Sequence, residues 1–84
     1  MANPRLGERL AARAEAGERH VLLTVEYTRT GWVAGVVELD GNTQVANESA
    51  ESLESGKQIA EEIARAYLAN RDLLFPAVEW RVAD

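Results

Sequence analysis

Residues 21–39, VLLTVEYTRTGWVAGVVEL, decide the fold of this chain. Hydrophobic side chains recur at every second position from Val21 to Tyr27, which is the period of a strand with one buried face. A short connection, Thr28–Gly31, separates this run from a second one that extends from Trp32 to Leu39. Two strands joined by so few residues pair as neighbours, so this stretch predicts an antiparallel hairpin.

The next segments predict a third strand and a long helix. Asp40-Gly41 favours a type I′ turn, because both central positions of that turn require a positive φ. A weaker strand follows over Thr43–Asn47. Apolar residues then recur with a 3.6-residue period, which predicts an amphipathic helix over residues 52–70. The N-cap of this helix is one of three serines: Ser49, Ser52 or Ser55.

One further element is predicted at each end of the chain. Asn3 before Pro4 is typical of an N-cap and first helical position, and the spacing of Leu6, Leu10 and Ala14 then predicts a helix within residues 1–18. At the other end, Pro76 favours an extended backbone in the residue before it. Alternating apolar residues predict a final strand over residues 77–82.

The predicted fold class is α+β, with the element order α-β-β-β-α-β in a single domain of 84 residues. A three- to four-stranded, largely antiparallel sheet packs one face against the long helix. Its parts are an N-terminal helix (1–18), a β-meander (20–47), the main helix (52–70) and the last strand (77–82). The N-terminal helix, a second copy of the chain or a partner would cover the other face.

Composition indicates a soluble cytoplasmic protein. The chain contains no cysteine, which excludes disulfides and thiolate chemistry and favours a reducing compartment. No apolar run approaches the ~20 residues that span a bilayer. A domain of this size has a small core, so a homodimer that buries leftover apolar surface is a reasonable expectation.

Negative charge is concentrated in one part of the sequence. The net charge is −5, and residues 38–62 contain seven carboxylates but only one lysine, Lys57. Such a segment repels phosphate and attracts basic protein surfaces, although a solvated acidic face kept for solubility is an equally good interpretation. Trp32, beside the first hairpin turn, is a possible apolar anchor or a core residue. The candidate partner-binding residues are Glu38, Asp40, Glu48, Glu51, Glu54, Glu61, Glu62 and Trp32.

Catalytic and metal-binding patterns are weak in this sequence. His20 is the only histidine, so a nucleophilic triad has a single candidate base. Glu26 together with Glu61 or Glu62 is the remaining candidate carboxylate pair of a metal-dependent nuclease, but these side chains are expected to face water. We therefore expect no enzyme activity, no cofactor and no metal site.

From Gly31 onward, the chain resembles the N-terminal domain of HicB-like antitoxins, a partial RNase H fold. The resemblance is carried by Gly31-Trp32-Val33-Ala34, the turn Leu39-Asp40-Gly41-Asn42, the alanine-rich helix Ile59–Leu68 and Pro76 before the last strand. It covers residues 31–82 and implies a protein that binds and silences a small, basic, RNA-cleaving toxin. The order of helix, three strands and helix also resembles double-stranded-RNA-binding domains, but glutamates stand where that family has lysines.

The leading hypothesis is a non-enzymatic, acidic protein-binding module that inhibits a basic nucleic-acid-processing protein, in the manner of an antitoxin or a phage anti-CRISPR protein. One alternative is a structural homo-oligomeric subunit. The other is direct nucleic-acid binding through four N-terminal arginines, although the overall acidity argues against it. These arginines are Arg5, Arg9, Arg13 and Arg19.

Overall fold

A computed structural model describes residues 4–83 of the chain. Within them, four consecutive strands precede one helix, and a short strand follows it. The strands are β1 (Arg9–Ala16), β2 (Arg19–Thr28), β3 (Gly31–Glu38), β4 (Thr43–Ala50) and β5 (Arg81–Val82), and the helix is α1 (Leu53–Ala69). The α+β class is therefore confirmed, with five strands in place of the predicted three or four.

The strands form one antiparallel sheet in the order β4-β3-β2-β1-β5. Hairpins join β1 through β4 in sequence, and the predicted pairing of Val21–Tyr27 with the run after Gly31 is confirmed as β2 with β3. After α1 the chain returns to the far edge, where β5 pairs with β1 at Leu10↔Val82 and Ala11↔Arg81.

The predicted N-terminal helix is wrong, because residues 9–16 form β1. The spacing of four between Leu6, Leu10 and Ala14 fits a strand as well as a helix, since four is a multiple of two. From Ala12 to Ala16 the buried alanines alternate with exposed Arg13 and Glu15, which is a strand pattern. Asn3, the predicted N-cap, lies outside the described residues.

Helix α1 packs across one face of the sheet, which we call the inner face. Ala60, Ala64 and Leu68 are buried, and the helix contacts β2, β3 and β4. Gly56 allows the closest approach: a Cβ built on it would lie 2.7 Å from Cγ1 of Val25. The strand residues buried on the inner face are Ala12, Ala14, Ala16, Val21, Leu23, Val25, Ala34 and Val36.

The N-terminus of α1 resolves the choice among three serines. Ser52 is the N-cap, with an extended backbone and a hydroxyl that accepts a hydrogen bond from the backbone N–H of Ser55 at 3.1 Å. The predicted helix over 52–70 is confirmed, since α1 covers Leu53–Ala69 and Asn70 is its C-cap.

Two predictions about the connections need correction. In the loop between β3 and β4, Asn42 has a positive φ of 51°, and Asp40 and Gly41 do not, so the turn is not type I′. The final strand is shorter than residues 77–82, because only Arg81 and Val82 pair with β1. The segment before it packs against the core instead, through Leu73, Phe75, Val78 and Trp80.

The opposite face of the sheet, which we call the outer face, is not covered by α1 or by the segment that follows it. Its centre consists of small and apolar residues: Ala11, Leu22, Thr24, Val33, Gly35 and Val37. Arginines lie along its β1–β5 side: Arg9, Arg13 and Arg81. Uncharged polar residues lie along its β4 side: Gln44, Asn47 and Ser49. Within residues 4–83, no helix is long and apolar enough to cross a membrane.

Candidate protein-binding surface

Three of the predicted glutamates lie where β4 passes into α1. Glu48 is near the end of β4, Glu51 is in the connection, and Glu54 is in the first turn of α1. All three are exposed. We call this group the acidic corner.

One cation accompanies the acidic corner. Nζ of Lys57 lies 3.5 Å from Oε1 of Glu54, one turn along the helix. An exposed pair of this kind contributes little to stability. Glu54 also lies at the positive end of the helix dipole, a favourable position for a carboxylate. The corner as a whole therefore keeps a net negative charge that a basic surface can meet.

Glu38 already has a partner within the chain. It lies at the end of β3 on the inner face and is 8% exposed, and its Oε1 accepts a hydrogen bond from Nη1 of Arg19 at 2.9 Å. The hairpin register produces this pair, because it places Val21 opposite Glu38 and thereby brings the start of β2 beside the end of β3.

Asp40 pairs with His20 across the same end of the hairpin. Its Oδ2 accepts the backbone N–H of His20 at 2.8 Å, and its Oδ1 lies 3.1 Å from the ring Nδ1. The side-chain hydrogen bond that His20 donates to Asp40 raises the pKa of His20 above 6.5. The same bond and the backbone N–H of His20 lower the pKa of Asp40 below 3.8. Both side chains are substantially exposed.

The two glutamates in the middle of α1 differ in environment. Oε2 of Glu61 accepts a hydrogen bond from Nε1 of Trp80 at 2.8 Å, which ties the C-terminal segment to the helix. Glu62 is exposed. The acidic corner and Glu62 are thus the predicted acidic residues that have exposed carboxylates and are not tied to another element of the fold.

Trp32 is half-buried and stacks against Tyr27. The ring centroids are 5.0 Å apart and the planes meet at 60°, an edge-to-face arrangement. The register pairs these residues directly across β2 and β3 on the inner face. Trp32 therefore lies opposite Ala50, the last residue of β4. This is the end of the sheet at which the acidic corner begins.

The four N-terminal arginines do not lie on one helix, because residues 9–16 form β1. Arg9 and Arg13 lie on β1 and face outward, Arg19 is engaged by Glu38, and Arg5 precedes the sheet. The same topology separates the candidate nuclease pair, because Glu26 is on the outer face and α1 covers the inner one. Among the described residues, no three His, Asp or Glu side chains are placed to hold a metal ion.

Sequence reasoning anticipated a second sheet face but missed β1, because it predicted a helix where the structure has a strand. The sequence did contain a signal for it: residues 11–16 alternate as well as they fit a helical spacing, and an alanine-rich alternation is compatible with a strand. Comparison with known proteins identified no matching family model, no similar curated protein and no similar solved structure.

Proposed function

We propose that this protein is a non-enzymatic binding module that docks on a basic protein through its acidic corner and Glu62. The observation that supports this proposal is the exposure of four carboxylates between β4 and the middle of α1, of which Glu54 pairs with Lys57. The partner that fits this charge is a protein that itself binds nucleic acid, since such proteins present clustered Lys and Arg.

The resemblance to HicB-like antitoxins makes the proposal more specific. An antitoxin of that kind silences a small, basic, RNA-cleaving toxin, and a phage inhibitor of a nucleic-acid-processing enzyme uses the same charge complementarity. In either role the carboxylates accelerate association with a positively charged surface, so binding weakens as salt increases. Trp32, at the same end of the sheet, supplies an apolar contact beside the charged ones.

The test compares two variants with the same change in net charge. The first reverses the proposed surface with four substitutions: Glu48→Lys, Glu51→Lys, Glu54→Lys and Glu62→Lys. The control reverses four exposed glutamates elsewhere: Glu8→Lys, Glu15→Lys, Glu18→Lys and Glu79→Lys. Tagged wild-type protein first captures a partner from the host lysate, and the identified partner is then purified.

Surface plasmon resonance measures the association rate of each variant with that purified partner at several salt concentrations. We expect the first variant to lose at least tenfold in association rate, together with most of the salt dependence. The control variant should lose much less. If both variants lose the same amount, net charge alone governs association and the proposed surface is wrong.

A further inference from the structure

The centre of the outer face consists of small and apolar residues, which is the composition of a surface that packs against another layer. At its centre, Gly35, Thr24 and Ala11 lie side by side on neighbouring strands, with Val33 on one side of them and Val37 and Leu22 on the other. A Cβ added at Gly35 would lie 2.9 Å from Oδ1 of Asn47 and 3.0 Å from Oγ1 of Thr24, so both side chains lean over the glycine. Among the described residues, one helix packs against a five-stranded sheet, so the outer face has no second layer packed on it.

We propose that a second copy of this chain packs on the outer face, so that two sheets stack face to face about a two-fold axis. The axis runs parallel to the strands and lies between β2 and β3. A two-fold interface uses the same surface on both copies, so this surface has to be complementary to itself.

The register of the sheet provides that complementarity. An axis between β2 and β3 brings the β2 residues of one copy opposite the β3 residues of the other. Leu22 then meets Val37 of the other copy, and Thr24 meets Gly35. Leu22 and Val37 therefore form apolar contacts across the axis, and Thr24 faces Gly35 and the Asn47 side chain beside it.

Hydrogen-bonding complementarity, together with the separation of like charges, selects this axis over the perpendicular one. The same rotation brings β1 of one copy opposite β4 of the other, so that Arg9 meets Ser49 and Arg13 meets Gln44. Amide and hydroxyl oxygens accept hydrogen bonds from guanidinium groups. An axis perpendicular to the strands would instead place β1 against β1 and bring the arginines together. Glu26, at the end of the face, lies directly across from Arg9 of its own copy.

The available area matches the lower limit for a specific dimer. Four strands of eight to ten residues overlap in this arrangement, and at a strand spacing of ~4.8 Å and ~3.3 Å per residue they give a face of roughly 550 Å². Two such faces bury about 1,100 Å², just above the ~1,000 Å² that a specific interface should clear. The acidic corner belongs to β4 and α1, so each copy keeps it exposed at opposite sides of the dimer.

Multi-angle light scattering and sedimentation velocity test this proposal on the full chain. We expect the wild type to have twice the monomer mass at concentrations from ~10 μM to ~1 mM. Leu22→Asp should convert it to a monomer. Thr24→Lys should do the same, and it replaces a side chain that is already polar, so it tests the interface without removing apolar packing.

Leu74→Asp is the matched control, because Leu74 is 90% exposed in the segment after α1 and lies away from the outer face. Circular dichroism establishes that each variant is folded. A monomeric wild type at ~1 mM overturns the proposal. So does a dimer that persists in folded Leu22→Asp and Thr24→Lys, or one that dissociates equally in Leu74→Asp.

Discussion

Arg19 and Glu38 show how a single contact determines whether an acidic residue is available to a partner. The carboxylate is nearly buried, with 11% of its side chain exposed, whereas 41% of the Arg19 side chain is exposed. A buried charge is stable only with a partner, so Glu38 depends on Arg19 more than Arg19 depends on Glu38. Glu38 is therefore better explained as part of the hairpin than as part of a docking surface.

Replacing Arg19 should expose this dependence. We expect Arg19→Met to lower the free energy of unfolding by about 1–2 kcal/mol, less than for a fully buried pair because Arg19 is partly solvated. The double variant Arg19→Met/Glu38→Met should be more stable than Arg19→Met alone, since it leaves no unpaired carboxylate. Urea denaturation of the three proteins measures this difference, and equal midpoints for the single and double variants would contradict it.

His20 and Asp40 predict a defined pH dependence. The folded His20 has a raised pKa, so its contribution to stability is fully present below pH 6.5 and is lost as the pH rises through the folded pKa. The folded Asp40 has a lowered pKa, so its contribution is present above pH 3.8 and is lost as the pH falls through its folded pKa. The pair therefore stabilises the fold most between pH 3.8 and pH 6.5.

An NMR titration of the His20 ring measures this pair directly. In Asp40→Asn we expect the pKa of His20 to fall toward 6.5, because the carboxylate that stabilises the imidazolium is gone. Glu15→Gln is the control: Glu15 also raises the pKa of His20, but more weakly than Asp40 does. An unchanged pKa of His20 in Asp40→Asn would mean that the hydrogen bond does not persist in solution.

At the scale of the elements, Gly56 determines how closely α1 approaches the sheet. Alanine favours a helix over glycine by about 1 kcal/mol, yet here its Cβ would collide with Val25. We expect Gly56→Ala to destabilise the protein by about 1–3 kcal/mol, because overpacking outweighs helix propensity. Thermal unfolding should show recovery in Gly56→Ala/Val25→Ala relative to the single variant. A stabilised Gly56→Ala would show that α1 can move away from β2.

The N-cap of α1 provides a second test at this scale. Ser52→Ala removes the acceptor for the N–H of Ser55, which should cost about 1 kcal/mol in free energy of unfolding. Ser55→Ala is the matched control, since it also removes a serine hydroxyl but keeps the backbone N–H that Ser52 accepts. Equal losses in chemical denaturation would place the cap elsewhere.

The sequence predicted the elements whose periodicity is unambiguous. The hairpin over residues 21–39 and helix α1 each have one dominant period, and both are confirmed. Residues 9–16 were mispredicted because a spacing of four fits a helix and a strand alike, and pairing with β2 and β5 makes this segment a strand. The contacts of Glu38 and Glu61 join residues 19 positions apart, so they depend on a register and packing that local patterns do not contain.

At the scale of the whole molecule, we expect the protection of backbone amides against hydrogen exchange to decrease from the centre of the sheet to its edges. β2 and β3 are paired on both sides and lie under α1, whereas β4 is an edge strand and β5 has two residues. Native-state hydrogen exchange should give the slowest amides in β2 and β3 and the fastest strand amides in β5. Uniform protection across the five strands would contradict this order.

The succession of hairpins also bears on how fast the chain folds. From β1 to β4, every strand pairs with its neighbour in sequence, so these pairings close only short loops. The pairing of β1 with β5 is the exception, because it joins residues about 70 positions apart. Folding rates decrease as the mean sequence separation of contacting residues increases. We therefore expect the meander and α1 to form first, with the docking of β5 as the last step of folding.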